Sequence, residues 1–145
     1  MIVLDANILV YAYVESLPQH RRVSDWLTTF LSEGVETIAM TWTAVNAFLR
    51  ISTNKRIFDN PWSIDDAAER IDDLFSHPMV QSVGPTAEHW TVYSGILKEM
   101  NLRGDIVMDA HITAMAIQHN ASVASADKDF RRFSDYVKII DPLKS

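Results

Sequence analysis

The chain has no cysteine among its 145 residues, so disulfides, thiolate metal sites and cysteine nucleophiles are excluded together. Glycine and proline are scarce, at four and five residues, which rules out collagen-like and Gly/Pro-rich low-complexity organisation. No apolar run approaches the length of a membrane span, and Met1-Ile2-Val3-Leu4 meets Asp5 with no basic region ahead of it. That start is neither a signal peptide nor a spanning segment, and residence in the cytoplasm is expected. Cations are the minority charge: 13 Lys and Arg against 19 Asp and Glu give a formal net charge of −6. A protein holding nucleic acid by bulk phosphate neutralisation is thereby disfavoured. An enzyme reaching nucleic acid through bound cations is not, because each divalent ion brings positive charge to the carboxylates that hold it.

What is present is ordinary globular material, 48% hydrophobic and 22% charged, enough for one domain spanning residues 1–145. Ile2–Leu4, Thr37–Met40, Met79–Val83, Ala121–Ala124 and Val137–Ile140 are short apolar runs that read as five buried strands. Helical patterns separate them. Ala6–Val14 is the first; a second opens at Ser16-Leu17-Pro18, as N-cap and first-turn proline, and closes at Gly34. A third runs from Thr43 to about Ser52, and a fourth starts from a capping sequence at Ser63-Ile64-Asp65-Asp66. Gly84-Pro85-Thr86 begins a fifth that reaches about Met100, and an alanine-rich sixth covers about Ile106 to His119. Strands alternating with long helices predict parallel crossovers, an α/β three-layer α/β/α sandwich on a mostly parallel five-stranded sheet.

Such sheets bind ligands beyond the carboxyl ends of their strands, where strand order reverses. Asp5 ends the first strand, Asp127 follows the fourth, and Asp109 lies in the first turns of the alanine-rich helix. Carboxylates brought together repel one another and either share protons or bind a hard cation. Each acid also has a plainer reading: Asp5 as a helix cap, Asp109 as a favourable charge on a helix dipole, Asp127 as a turn residue. Their joint placement favours a site. Asp105, one helical turn before Asp109, reads first as the N-cap of its helix and second as an accessory acid. Asp129 opens a short turn above an inward-packing Phe130.

Three segments then resemble the PIN-domain ribonucleases, and among them the VapC-type toxins: Ile2-Val3-Leu4-Asp5-Ala6-Asn7-Ile8-Leu9, Asp109-Ala110-His111-Ile112-Thr113-Ala114-Met115-Ala116, and Ser125-Ala126-Asp127-Lys128-Asp129-Phe130. Phe48-Leu49-Arg50-Ile51 matches the second helix of that family. The resemblance implies Mg²⁺- or Mn²⁺-dependent cleavage of RNA, with Asp5, Asp109 and Asp127 as catalytic and metal-binding acids. Asn7 would orient the first acid and Ser125 would hydrogen-bond behind it. It further implies a toxin neutralised by a VapB-type antitoxin, whose arginine would enter the acidic groove, and a homodimer.

One feature departs from the family. Many relatives carry a glutamate about three residues before the arginine matched by Arg50, whereas this chain has Ala44-Val45-Asn46-Ala47-Phe48. Asn46 would supply a weaker oxygen there, or Asp105 would compensate, or metal affinity would fall. The loss also motivates an alternative, a catalytically degenerate PIN domain that serves as a protein- or RNA-binding partner. A phosphatase or receiver domain fits less well, because Asp5-Ala6-Asn7 lacks the second carboxylate of Asp-x-Asp. Arg50, Arg103 and Lys128 are the leading candidates for RNA-phosphate contacts, with Lys55, Arg56, Arg131 and Arg132 behind them. Most of the four tryptophans are expected to pack rather than stack on bases. His111, too far round its helix from Asp109, is not expected to be a co-ligand.

Overall fold

A computed structural model describes residues 1–144. Its elements follow in the order β1 (Ile2–Leu4), α1 (Ala6–Tyr13), α2 (His20–Glu33), β2 (Ile38–Met40), α3 (Trp42–Ser52), α4 (Ile64–Phe75), β3 (Val80–Ser82), α5 (His89–Glu99), α6 (Ile106–Gln118), β4 (Ser122–Ala124), a 3₁₀ helix (Lys128–Phe133) and β5 (Ile139–Ile140). The sheet has five strands in the order β3-β2-β1-β4-β5, and every adjacent pair is parallel. Order runs outward in both directions from β1, so the reversal lies between β1 and β4. This is the α/β sandwich that the alternation of strands and helices predicts.

Side-chain alternation divides the core between the two faces of the sheet. Ile2, Leu4, Ile38, Met40 and Ala124 pack with α1 to α4, while Val3, Ala39 and Val123 pack with α5, α6 and the 3₁₀ helix. The strands are buried on both sides, as parallel strands between helical layers must be. In α6 the small residues Ala110, Ala114 and Ala116 have no exposed surface, which brings that helix down onto β1 and β4 and sets where Asp109 stands.

Local chemistry accounts for most boundaries. Gly34 takes a left-handed conformation at φ 61° and ends α2. Ser63 Oγ accepts the Asp66 amide at 3.1 Å and starts α4. Three boundaries differ from expectation. Helix α2 begins at His20 rather than at Pro18, because the Leu17 amide bonds the Val14 carbonyl and the His20 amide bonds the Leu17 carbonyl, a turn closed around the proline. Helix α5 begins at His89 rather than at Thr86, whose amide and hydroxyl both donate to Gln118 Oε1, at 3.0 and 2.9 Å. Asp105 stands at the start of α6 in helical conformation, φ −61° and ψ −30°, and its side chain caps nothing; a cap needs the extended backbone that turns a side-chain oxygen back to the first amides. The strands are also shorter than their apolar runs, β5 reduced to two residues. Among the described residues, no helix is long and apolar enough to cross a membrane.

Candidate metal and nuclease site

The chain leaves β1 at Asp5, whose amide donates to the Ala124 carbonyl of β4 at 2.9 Å. Its carboxylate is therefore held at the reversal point, 6% exposed. Oδ1 accepts the Ala6 amide at 2.7 Å and caps α1. The capping reading of Asp5 is thus true of one oxygen only. The other, Oδ2, accepts the Ser125 hydroxyl at 2.8 Å and Asn7 Nδ2 at 3.1 Å.

Ser125 is the first residue after β4 and is 1% exposed. Its Oγ accepts the Asp127 amide at 3.1 Å, and Asn7 Oδ1 accepts the Ala126 amide at 3.2 Å. A continuous polar link therefore joins the exit of β1 to the exit of β4. Burial raises the Asp5 pKa, and the Asp127 charge adds to the rise; the bonds from Ser125, Ala6 and Asn7 oppose it.

Asp127 ends that link at the surface. It is exposed, and Oδ1 accepts the Asp129 amide at 2.9 Å to cap the 3₁₀ helix, so its turn role is real as well. Phe130 and Phe133 are fully buried beneath it, as the inward packing of Phe130 requires.

Asp109, in the first turn of α6, is half-buried. Its carboxylate has no hydrogen-bond or ion-pair partner among the described residues. Burial, then the charges of Asp5, Asp127, Asp129 and Asp105, push its pKa up to about 7. Asp5, Asp109 and Asp127 are thus close enough to feel one another through space, with no cation of the protein between them. That is the electrostatic condition under which a hard cation binds.

Two observations decide whether these residues fit a divalent ion. The donors are all hard oxygens without internal counter-charge, which suits Mg²⁺ or Mn²⁺. Among the described residues, however, no three His, Asp or Glu side chains form a ready-made cage. Mg²⁺ does not need one, since it binds through one or two carboxylates and keeps several waters or substrate oxygens. The donor set fits an open, partly hydrated ion.

Asn46 is exposed on α3 and makes no hydrogen bond among the described residues. Arg50, Arg103 and Lys128 are exposed, as befits phosphate contacts or plain surface charge. His111 Nδ1 lies 3.1 Å from Thr43 Oγ1, and its ring packs edge-on against His89 and Tyr93. Of the tryptophans, Trp26 and Trp62 pack against Phe30 and Phe48, while Trp42 and Trp90 are 56% and 67% exposed.

Lys138 and Lys144 fall in no sequence motif. With Arg131 they line a cleft of about 510 Å³ that also contains Ser125 and Asp127. A larger cleft of about 970 Å³, beside Tyr13, His20, Trp62 and Arg70, is lined by none of Asp5, Asp109 and Asp127.

A parallel α/β sheet with carboxylates gathered at its reversal point describes a class of folds rather than one protein. The PIN-domain family profile matches residues 2–136. Relatives include Ribonuclease VapC33 of Mycobacterium tuberculosis, 33% identical over 144 residues and covering 99% of both chains. Ribonuclease VapC37 of the same organism is 32% identical over 133 residues, 92% of each chain. Among solved structures, Mycobacterium tuberculosis VapC20, a sarcin-ricin loop cleaving toxin, superposes with a TM-score of 0.70 at 13% identity, covering 95% of this chain and 98% of that one. VapBC-1 from nontypeable Haemophilus influenzae gives 0.68 at 17% identity, covering 99% and 100%. The chain belongs to the PIN-domain family and, within it, to the VapC proteins.

Proposed function

We propose that the chain is a Mg²⁺- or Mn²⁺-dependent endoribonuclease acting in the cytoplasm as the toxin of a toxin–antitoxin pair. The observation that carries this reading is the set of uncompensated carboxylates at the β1–β4 reversal, in a chain one-third identical to ribonucleases of the VapC type along its whole length. Asp5 and Asp109 would hold the ion, with Asp127 joining directly or through water at the solvent edge. When bound, the ion neutralises the carboxylates and polarises an RNA phosphodiester for attack by water.

The chain's own groups prepare that site. Ser125 and Asn7 fix Asp5 Oδ2 in one orientation, which spares the reorganisation a freely rotating carboxylate would need. Burial and neighbouring carboxylates raise the Asp109 pKa to about 7, and a bound cation would favour its ionised form. A VapB-type antitoxin would silence the enzyme by placing an arginine among the same carboxylates, and two copies of the chain would form the toxin dimer.

The test is RNA cleavage by the purified chain in Mg²⁺ or Mn²⁺, against EDTA and against Asp5→Asn and Asp109→Asn. Cleavage lost in EDTA and in both variants, with folding unchanged by circular dichroism, is the expected result. Full cleavage after rigorous removal of metal would reject the proposal. The absence of a three-acid cage favours one competing reading, a PIN domain that binds a partner without catalysis. Calorimetric titration separates them: no Mn²⁺ binding at millimolar concentration supports the partner role.

A further inference from the structure

We infer that the cleft beside Asp127 is an RNA-phosphate subsite, in which Arg131 and Lys138 hold the backbone next to the scissile bond; this rests on the ribonuclease reading above. The first support is the shape of the 3₁₀ helix. Three residues per turn place positions i and i+3 in one row. Phe130 and Phe133 form the inward row, fully buried with ring centroids 5.4 Å apart. Arg131 and Ser134, one position on, form a second row, and both line the cleft. Burying the two phenylalanines therefore fixes the arginine on the cleft side. From the opposite wall comes Lys138, whose carbonyl accepts the Val123 amide at 2.9 Å and so ties it to the sheet edge beside β4.

Charge supplies the second support. In a chain of net charge −6, three cations, Arg131, Lys138 and Lys144, meet in this one cleft. Arg131 and Lys138 are exposed and form no salt bridge among the described residues, although Asp127 and Asp141 line the same cleft. Cations left without internal partners keep their full attraction for an outside anion.

The third support is continuity. Ser125 and Asp127 belong both to the carboxylate site and to this cleft. A polyanion whose phosphate sits at the carboxylates thus has its neighbouring phosphates within reach of the basic wall. Recognition would be of the backbone, hence indifferent to base identity. Arg131 and Lys138 would position RNA; neither touches the reacting bond.

The experiment uses the full chain, in EDTA so that the probe stays intact, with a fluorescein-labelled single-stranded RNA of mixed sequence about 20 nucleotides long, longer than one footprint. Binding is followed by anisotropy across a salt series. Each phosphate contact on a single strand contributes about 0.7 to the slope of log affinity against log salt. The variant Arg131→Ala/Lys138→Ala should reduce the slope by about 1.4, while Lys98→Ala, on α5, leaves it unchanged. On an RNA that the wild type cleaves in Mg²⁺, the same double variant should raise KM with little change in kcat. A wild type that binds and cleaves RNA, with slope and KM unaltered in the double variant, overturns the subsite and leaves the nuclease reading standing. The same result with weakened binding of an acidic peptide would assign the cleft to a protein partner instead. A wild type that neither binds nor cleaves RNA overturns both.

Discussion

Two strand exits of the same sheet make a useful pair. At the exit of β1, Asp5 uses one oxygen to cap α1 and turns the other to Ser125, 120 residues away. At the exit of β2, Thr41 is as buried, 1% exposed, yet its hydroxyl serves only the Ala44 amide at 3.1 Å and so caps α3. The first exit spends buried polarity on linking two distant parts of the chain, and the second spends it on its own helix. Burying a carboxylate costs free energy unless several partners compensate, and helix capping alone would be served as well by a neutral serine or asparagine. The retention of a charged acid at β1, against that cost, marks the site more clearly than polarity itself does.

The strongest way to break this contrast is to neutralise the acid. Asp5→Asn keeps a polar side chain of the same shape and should lower RNA cleavage by more than about 10²-fold, beyond the 10–100-fold typical of a supporting residue. Its melting temperature should change by a few degrees at most, since the relief of a buried charge is offset by an amide nitrogen set against the donors that Asp5 accepts. Ser125→Ala comes next. It takes from Asp5 Oδ2 the shorter of its two hydrogen bonds and from the Asp127 amide its acceptor, and should cost about 1–3 kcal/mol by urea denaturation, with metal affinity down about 10–100-fold. Ser125→Thr keeps the hydroxyl and should recover most of the affinity. Equal loss in Thr and Ala would show that packing, not the hydroxyl, matters there.

A smaller effect appears as pH dependence. Asp109, ordinarily at 3.8, is raised to about 7 in the folded chain. Between those values the folded state binds more protons at this group than the unfolded one, so its contribution to stability is fully present below about 4 and is lost as pH rises through about 7. Because the group is half exposed, solvent screening leaves on the order of 1 kcal/mol, or roughly 2–4 °C of melting temperature. In EDTA the wild type should melt lower at pH 8 than at pH 5, and Asp109→Asn should flatten that difference. Saturating Mn²⁺ should remove it too, because a bound cation favours the ionised carboxylate. A pH dependence identical in wild type and Asp109→Asn would locate the titration elsewhere.

Legibility in the sequence followed the range of the interactions. The five strands were readable because branched apolar runs must be buried, and the parallel sheet because long helices separate them. Asp5 and Asp127 stood out by following strands, where the architecture puts its sites, and Ser125 by the family motif it falls in. What escaped was decided at a distance. Nothing near Thr86 reveals that Gln118 takes both its hydrogen bonds and delays α5. Asp105 carries the residue type of a cap without the backbone angles of one. Arg131 was a phosphate candidate by charge alone and Lys138 was not singled out; burial of Phe130 and Phe133 in the 3₁₀ helix turns Arg131 to the cleft, which Lys138 lines from the residue before β5.

The β2 exit gives the sharpest form of the comparison through its smallest expected effect. Asn46 occupies α3 where many relatives place an acid, and here it is exposed and without a hydrogen bond among the described residues. An exposed amide oxygen there is neutral and hydrated, so it would add little to a cation held by Asp5 and Asp109. Asn46→Ala should change stability by no more than about 0.5 kcal/mol and weaken Mn²⁺ binding less than about threefold, below the range of a supporting residue. A loss of tenfold or more in calorimetry would mean that α3 contributes an oxygen after all, and that the two strand exits share one ion.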